Sequence, residues 1–203
     1  MTVAVHHRQA YFETLYSASQ DPYGTQSRWY EQRKRALLLA CLPRARFRSC
    51  YEPGCGSGEL TAALAQRCDA VLASDFSPTA ARAATLRTAS LAHVRIEHHA
   101  IPQGWPQDQV FDLIVLSEIA YFLDGAAVNA VARRCRASLA ADGVLVACDW
   151  LPDFGERASA THAVHAALAA CGLARLAMHR EDDFELVVWS RDPRSVAQHE
   201  GIR

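Results

Sequence analysis

Residues 49–75 restrict the fold of this chain more than any other stretch. The apolar run Ser49-Cys50-Tyr51 leads into Glu52-Pro53-Gly54-Cys55-Gly56-Ser57-Gly58-Glu59. An Ala- and Leu-rich stretch follows, and a second apolar run, Ala70-Val71-Leu72-Ala73-Ser74, ends in Asp75. Strand, glycine turn, helix and strand in this order make a right-handed crossover between parallel strands. The glycines permit a sharp turn and the approach of a ligand to the main chain, where a Cβ would collide. A helix starting near Gly58 directs its free N–H groups and positive dipole end at the same spot. Asp75, closing the second strand, is placed to accept hydrogen bonds from two ribose hydroxyls. These parts imply a nucleoside-type cofactor at the mouth of an α/β sheet.

The spacing narrows the cofactor. A dinucleotide loop reads G-x-G-x-x-G; here it is G-x-G-x-G, and Glu59 would repel a pyrophosphate. An NAD(P)-dependent oxidoreductase is therefore disfavoured. Glu52, two residues before the first glycine, suits a ligand that carries an ammonium group.

The remaining chain supplies the other layers. Helical spacing predicts helices over about 5–19 and 27–41, separated by the turn Asp21-Pro22-Tyr23-Gly24. Strands are expected at 48–52, 70–74, 93–98, 111–117 and 144–148, with helices over 59–67, 77–90, 124–139 and 159–171 between them. Ser77-Pro78 reads as an N-cap with proline at the first helical position. Phe111-Asp-Leu-Ile-Val-Leu-Ser117 has the continuous apolar pattern of a strand buried on both faces. Residues 101–109 read as a loop, 140–143 as a turn, and 174–179 with 184–189 as an antiparallel pair at the sheet edge.

Half of the 203 residues are apolar, enough for one domain with a full core. The net charge of −1 leaves no electrostatic footprint for nucleic acid. No apolar run reaches membrane-spanning length, and the first residues lack the order of a signal peptide. Seven cysteines without C-x-x-C spacing read as buried reduced thiols in a cytoplasmic protein. No further ligands accompany His162 and His165, so no metal is expected.

Glu52-Pro-Gly-Cys-Gly-Ser-Gly followed by Asp75 resembles motif I and its successor in class I S-adenosylmethionine methyltransferases. Asp21-Pro22-Tyr23, Trp29-Tyr30-Glu31-Gln32, the 111–118 run, Tyr121-Phe122-Leu123 and Leu139-Ala-Ala-Asp-Gly143 resemble the nodulation N-methyltransferases of the NodS type. The resemblance implies a Rossmann-like seven-stranded, mostly parallel sheet of order 3-2-1-4-5-7-6 with one antiparallel edge strand. Residues 1–43 would form a helical lid, 44–192 the core and 193–203 a loose tail. It further implies S-adenosylmethionine as cofactor, S-adenosylhomocysteine as product, and an amine or hydroxyl on a small, sugar-bearing acceptor.

The cofactor residues implied are Tyr23, Lys34, Glu52, Gly54, Cys55, Gly56, Gly58, Asp75 with the following Phe76, Ala100, Ile101 and Ser117. Tyr23 stands where the family has Trp, and Ala100-Ile101 where many members carry an Asp for the adenine. Lys34 is expected against the methionine carboxylate, or else on a solvated helix face. Glu118, Tyr121 and Asp149 are the catalytic candidates. Glu118 either orients the acceptor and takes its proton or bonds loop backbone. Tyr121 either stacks on the substrate or belongs to the core, and Asp149 closes a strand at the ligand end. A SAM-binding domain without turnover is the alternative outside the enzymes.

Overall fold

A computed structural model describes residues 3–19 and 21–203, with side chains from Gln9 onward. Two helices, α1 (Val3–Ala18) and α2 (Trp29–Cys41), precede an alternating array: β1 (Phe47–Pro53), α3 (Glu59–Ala65), β2 (Cys68–Asp75), α4 (Pro78–Arg87), β3 (Val94–His98) and β4 (Phe111–Ser117). A one-turn 3-10 helix at Ala120–Phe122 leads to α5 (Gly125–Ser138), β5 (Leu139–Trp150), α6 (Thr161–Ala169), β6 (Ala174–Arg180), β7 (Phe184–Ser190) and α7 (Val196–His199).

The sheet order is β3-β2-β1-β4-β5-β7-β6, as expected. The first five strands run parallel, and β7 is antiparallel to both β5 and β6. The order reverses direction beside β1, so the crevice at the carboxyl ends of β1 and β4 is the topological switch point.

β4 is buried on both faces because its side chains alternate between two cores. Ile114 and Leu116 join Val128, Val131, Val164 and Leu168 of α5 and α6 on one face. Leu113 and Val115 join Leu38 of α2, Leu42 just beyond it and Leu64 of α3 on the other. The C-terminal half of α2 is thus core. Of the segment expected as a lid, α1, the turn at Asp21 and the start of α2 border the ligand end.

Local chemistry fixes the element ends. Ser77 caps α4 by accepting from the Ala80 N–H at 3.1 Å, with Pro78 at the first helical position. Asp124 caps α5 through the Ala127 N–H at 2.9 Å. The second helix starts later than expected, capped by Arg28 without a side-chain bond. The turn expected at 140–143 is absorbed into a long β5: Phe111 pairs with Leu139 and Leu113 with Val144, so the surplus residues bulge out of the ladder. The tail expected to be loose carries the short α7, held by a capping box between Ser195 and Gln198.

Candidate functional site

A cavity of about 510 Å³ opens at the carboxyl ends of β1, β2, β4 and β5. Such a volume lies within the range of small-molecule pockets. The glycine turn forms its floor, and α1 with the 21–28 segment forms its cover. Asp21 shapes that cover: Oδ1 accepts from the Thr25 N–H at 2.6 Å and the Thr25 hydroxyl at 2.8 Å, and Oδ2 from the Gln26 N–H at 3.0 Å.

Glu52, at the end of β1, lines the cavity and is only 3 % exposed. Its Oε2 is buried without a hydrogen-bond partner. Burial pushes the carboxyl up to about 8; the neighbouring Thr61 hydroxyl opposes the rise and the nearby Asp75 adds to it. A buried, unpartnered carboxylate is costly unless a cation meets it. Asp75 also lines the cavity, and its two oxygens take the Gly56 and Ser77 N–H groups, each at 2.9 Å. Burial raises its pKa, and those backbone bonds oppose the rise. Each oxygen keeps a lone pair for a hydroxyl donor.

The space beside the glycines is occupied by the protein itself. Gly54, Gly56 and Gly58 all have positive φ, from 53° to 83°. A Cβ on Gly54 would strike Ile119, one on Gly56 would lie 2.7 Å from the Tyr16 hydroxyl, and one on Gly58 would lie 2.9 Å from Ala84 Cα. The expected clearance for a ligand is therefore, at these three positions, clearance for the 3-10 turn, α1 and α4. Much of the loop's N–H set is also engaged: Gly54 and Cys55 donate to the Ser74 carbonyl at 2.6 and 3.0 Å.

A second cluster faces the cavity from the β4 side. Glu118 adopts a left-handed backbone, φ 56°, uncommon outside glycine. Its Oε1 pairs with Lys34 Nζ at 2.7 Å, and its Oε2 accepts from the Tyr121 hydroxyl at 2.5 Å and the Trp150 N–H at 3.0 Å. Burial works to depress the Lys34 ammonium, but Glu118 and Glu31 outweigh it and hold its pKa above the usual value. Burial, then Glu118, lifts the Tyr121 phenol well above its ordinary range. Lys34 thus has two carboxylate partners on the protein, Glu118 and Glu31 (3.1 Å). Glu118 joins α2, the 3-10 turn and β5.

Tyr23, Cys55, Phe76 and Ser117 line the cavity, as do Lys34, Gly54, Gly56, Glu118 and Tyr121. Burial raises the Cys55 thiol far above its ordinary value, which leaves it a neutral wall atom. Gly58, Ala100, Ile101 and Asp149 do not line it. Asp149 points to the opposite face of the sheet, fully buried, where Oδ2 meets His165 Nε2 at 2.9 Å. His165 Nδ1 lies 2.8 Å from Glu185, whose other oxygen takes Arg180 at 2.6 Å. Burial opposes charging of this imidazole, yet the Asp149 and Glu185 carboxylates outweigh it and raise its pKa.

Sequence reasoning missed Tyr16, whose hydroxyl sits over Gly56, and the aromatic wall of Phe12, Phe122 and Phe154. Phe12 meets Phe76 at 5.3 Å and Phe122 at 4.9 Å, edge to face. Tyr11, Phe12, Leu15 and Tyr16 recur at helical spacing in the sequence, a pattern that marks a helix without naming what it would cover.

Comparison with known proteins bears on this geometry. A family model described as a methyltransferase domain matches residues 51–145. Nodulation protein S of Bradyrhizobium diazoefficiens is 31% identical over 131 residues, 64% of this chain and 62% of that protein. Nodulation protein S of Sinorhizobium fredii is 29% identical over 131 residues, 64% of this chain and 60% of that protein. The chain thus spans about three fifths of the length of these curated relatives. A solved structure of a candidate methyltransferase from Pseudomonas syringae is 45% identical, with TM-score 0.72, over 80% of this chain and 99% of that one. N-methyltransferase NodS from Bradyrhizobium japonicum, solved with S-adenosyl-L-homocysteine, shares the fold: TM-score 0.80 at 22% identity, over 92% of this chain and 99% of that one.

Proposed function

The chain belongs to the methyltransferase-domain family, and on that premise we propose that it transfers a methyl group from S-adenosylmethionine to an amine or hydroxyl of a small acceptor. The observation that carries the reading is the buried Glu52 oxygen, which lines the cavity without a partner. S-adenosylmethionine would supply an electrophilic methyl on a sulfonium and an ammonium for that carboxylate. The residues present fit this group. Glu52 meets the ammonium, and Asp75 accepts the ribose hydroxyls with the lone pairs left free by Gly56 and Ser77. Tyr23, Tyr16 and Phe76 exclude water, which strengthens every electrostatic contact inside. Lys34 acts through Glu118: its ammonium holds that carboxylate at 2.7 Å, and Glu118 in turn fixes Tyr121 and the end of β5.

An attacking lone pair must be neutral and aligned, so the protein's contribution is chiefly positioning in a dry site. Tyr121 commits its proton to Glu118, so toward an acceptor it offers only lone pairs. It orients an acceptor N–H or O–H. Asp149 acts at a distance, by holding α6 to the strand that ends in Trp150. The seven cysteines, all unpaired, support a reducing, cytoplasmic setting.

Calorimetry with S-adenosylhomocysteine and with NAD tests the cofactor. Micromolar binding of the first and none of the second is expected; the reverse would reject the reading. Methyl transfer to any member of a panel of amines and alcohols would separate an enzyme from a SAM-binding domain without turnover.

A further inference from the structure

The half of the cavity over β4 and β5 differs in chemistry from the half over β1 and β2. Its wall is a continuous aromatic surface: Tyr121 meets Phe122 at 4.7 Å and Phe154 at 5.2 Å, and Phe122 meets Phe154 at 5.6 Å. Phe12 of α1 closes the same surface from above. Into this chamber the β5–α6 loop brings Glu156.

Glu156 is the second cavity carboxylate that lacks a protein partner. Asp21 caps its own turn, Glu31 and Glu118 share Lys34, Glu59 pairs with Arg87, and Asp75 bonds backbone. For Glu156 no ion pair or side-chain hydrogen bond exists among the described residues. Its neighbour Arg157 is turned away: the guanidinium stacks 4.8 Å from the Tyr121 ring and 4.7 Å from Phe154. It also bonds Thr161 Oγ1 at 2.9 Å and the Trp150 carbonyl at 2.8 Å. Arg157 therefore pins the loop that carries the half-buried Glu156 without forming an ion pair with it. The Tyr11 phenol is raised first by burial and then by that same carboxylate, and the Tyr23 phenol by burial, then Tyr11, then Glu156.

We propose that Glu156 and the aromatic chamber form the acceptor subsite, and that it takes a compact amine, no larger than one ring with a short side chain, which docks as its ammonium and gives up one proton to water at the cavity mouth before its neutral lone pair attacks. This rests on the cofactor reading above. Size follows from the cavity, whose 510 Å³ must also hold the cofactor. Charge follows from the unpaired carboxylate, and the ring preference from aromatic walls that attract both flat apolar groups and cations. The phenylalanines of this wall offer no hydrogen-bond partner to the hydroxyls of an oligosaccharide amine.

Phenethylamine, 2-phenylethanol and a glucosamine tetramer serve as probes, titrated into protein saturated with S-adenosylhomocysteine. Phenethylamine should bind at least tenfold more tightly than the alcohol and than the tetramer. Glu156→Gln should remove that tenfold preference for the amine while the affinity for S-adenosylhomocysteine changes less than twofold. Equal binding of amine and alcohol, tighter binding of the tetramer, or an unaltered preference in Glu156→Gln would overturn the proposal. Loss of S-adenosylhomocysteine binding by the unmodified protein would instead overturn the cofactor reading.

Discussion

With the ligand's ammonium at Glu52, as proposed, cofactor binding becomes a proton-release reaction. With its carboxyl at about 8, roughly 0.9 of the molecules carry a proton there at pH 7. An ammonium brought to Oε2 favours the charged form, so binding should expel roughly 0.9 proton at pH 7. The affinity must then follow the ionised fraction, which rises roughly ninefold between pH 6 and 7. Calorimetry of S-adenosylhomocysteine binding at pH 7 in phosphate and in Tris separates this proton from the intrinsic heat. The two heats should differ by nearly the whole difference in buffer ionisation enthalpy. Glu52→Gln should abolish the difference and weaken binding by about 1.5–3 kcal/mol, the range for a charge-assisted hydrogen bond. It should also stabilise the free protein. The folded carboxyl stands at about 8 against an ordinary 4.5, so the folded state holds the extra proton between those values. Stability is full below the lower one and falls as pH rises toward the upper. At pH 7 the loss is roughly 3 kcal/mol on this fully buried group, an order-of-magnitude figure. Identical heats in the two buffers would refute the placement of the ligand's ammonium at Glu52.

Two further perturbations follow from the geometry. Gly56→Val puts a β-branched residue at φ 53° with its Cβ 2.7 Å from the Tyr16 hydroxyl; S-adenosylhomocysteine affinity should fall more than tenfold by calorimetry, and Tyr16→Phe in the same chain should recover part of it. His165→Gln leaves Asp149 and Glu185 buried without their cation, and urea denaturation at pH 6 should show a loss of about 3–5 kcal/mol. The His165 pKa is raised, so its contribution is complete below about 6.5 and is lost as pH rises through the folded value; a difference between the two proteins that stays constant from pH 6 to 9 would count against the charged imidazole.

What the sequence made legible was whatever local chemistry determines. The acid-flanked glycine turn, Ser77-Pro78 and Asp124 declare their backbone geometry within a few residues, and the run from Phe111 to Ser117 declares burial on both faces. The sheet order then follows from alternation of strands and helices. The contacts that decide the site join distant segments: Lys34 to Glu118, Tyr16 to Gly56, Arg157 to the Tyr121 ring. No period or spacing carries that information.

Asp149 is the instructive case, because the signal was present. Val144, Val146 and Cys148 alternate with Leu145 and Ala147 between the two cores, and period two puts Asp149 on the face of Leu145 and Ala147, under α6. Trp150, one residue on, returns to the cavity side. Strand parity thus separates two acids that both follow strands at the ligand end. Glu118 escapes it because its left-handed backbone breaks the alternation after Ser117 and swings the carboxylate back among Lys34, Tyr121 and the Trp150 N–H. A non-glycine residue in that conformation costs of order 1–3 kcal/mol, which three hydrogen bonds from three separate elements offset. Strain held by such a set of contacts is expected where position matters more than stability. Glu118 is therefore better understood as the joint that fixes the β4 side of the cavity than as a free base.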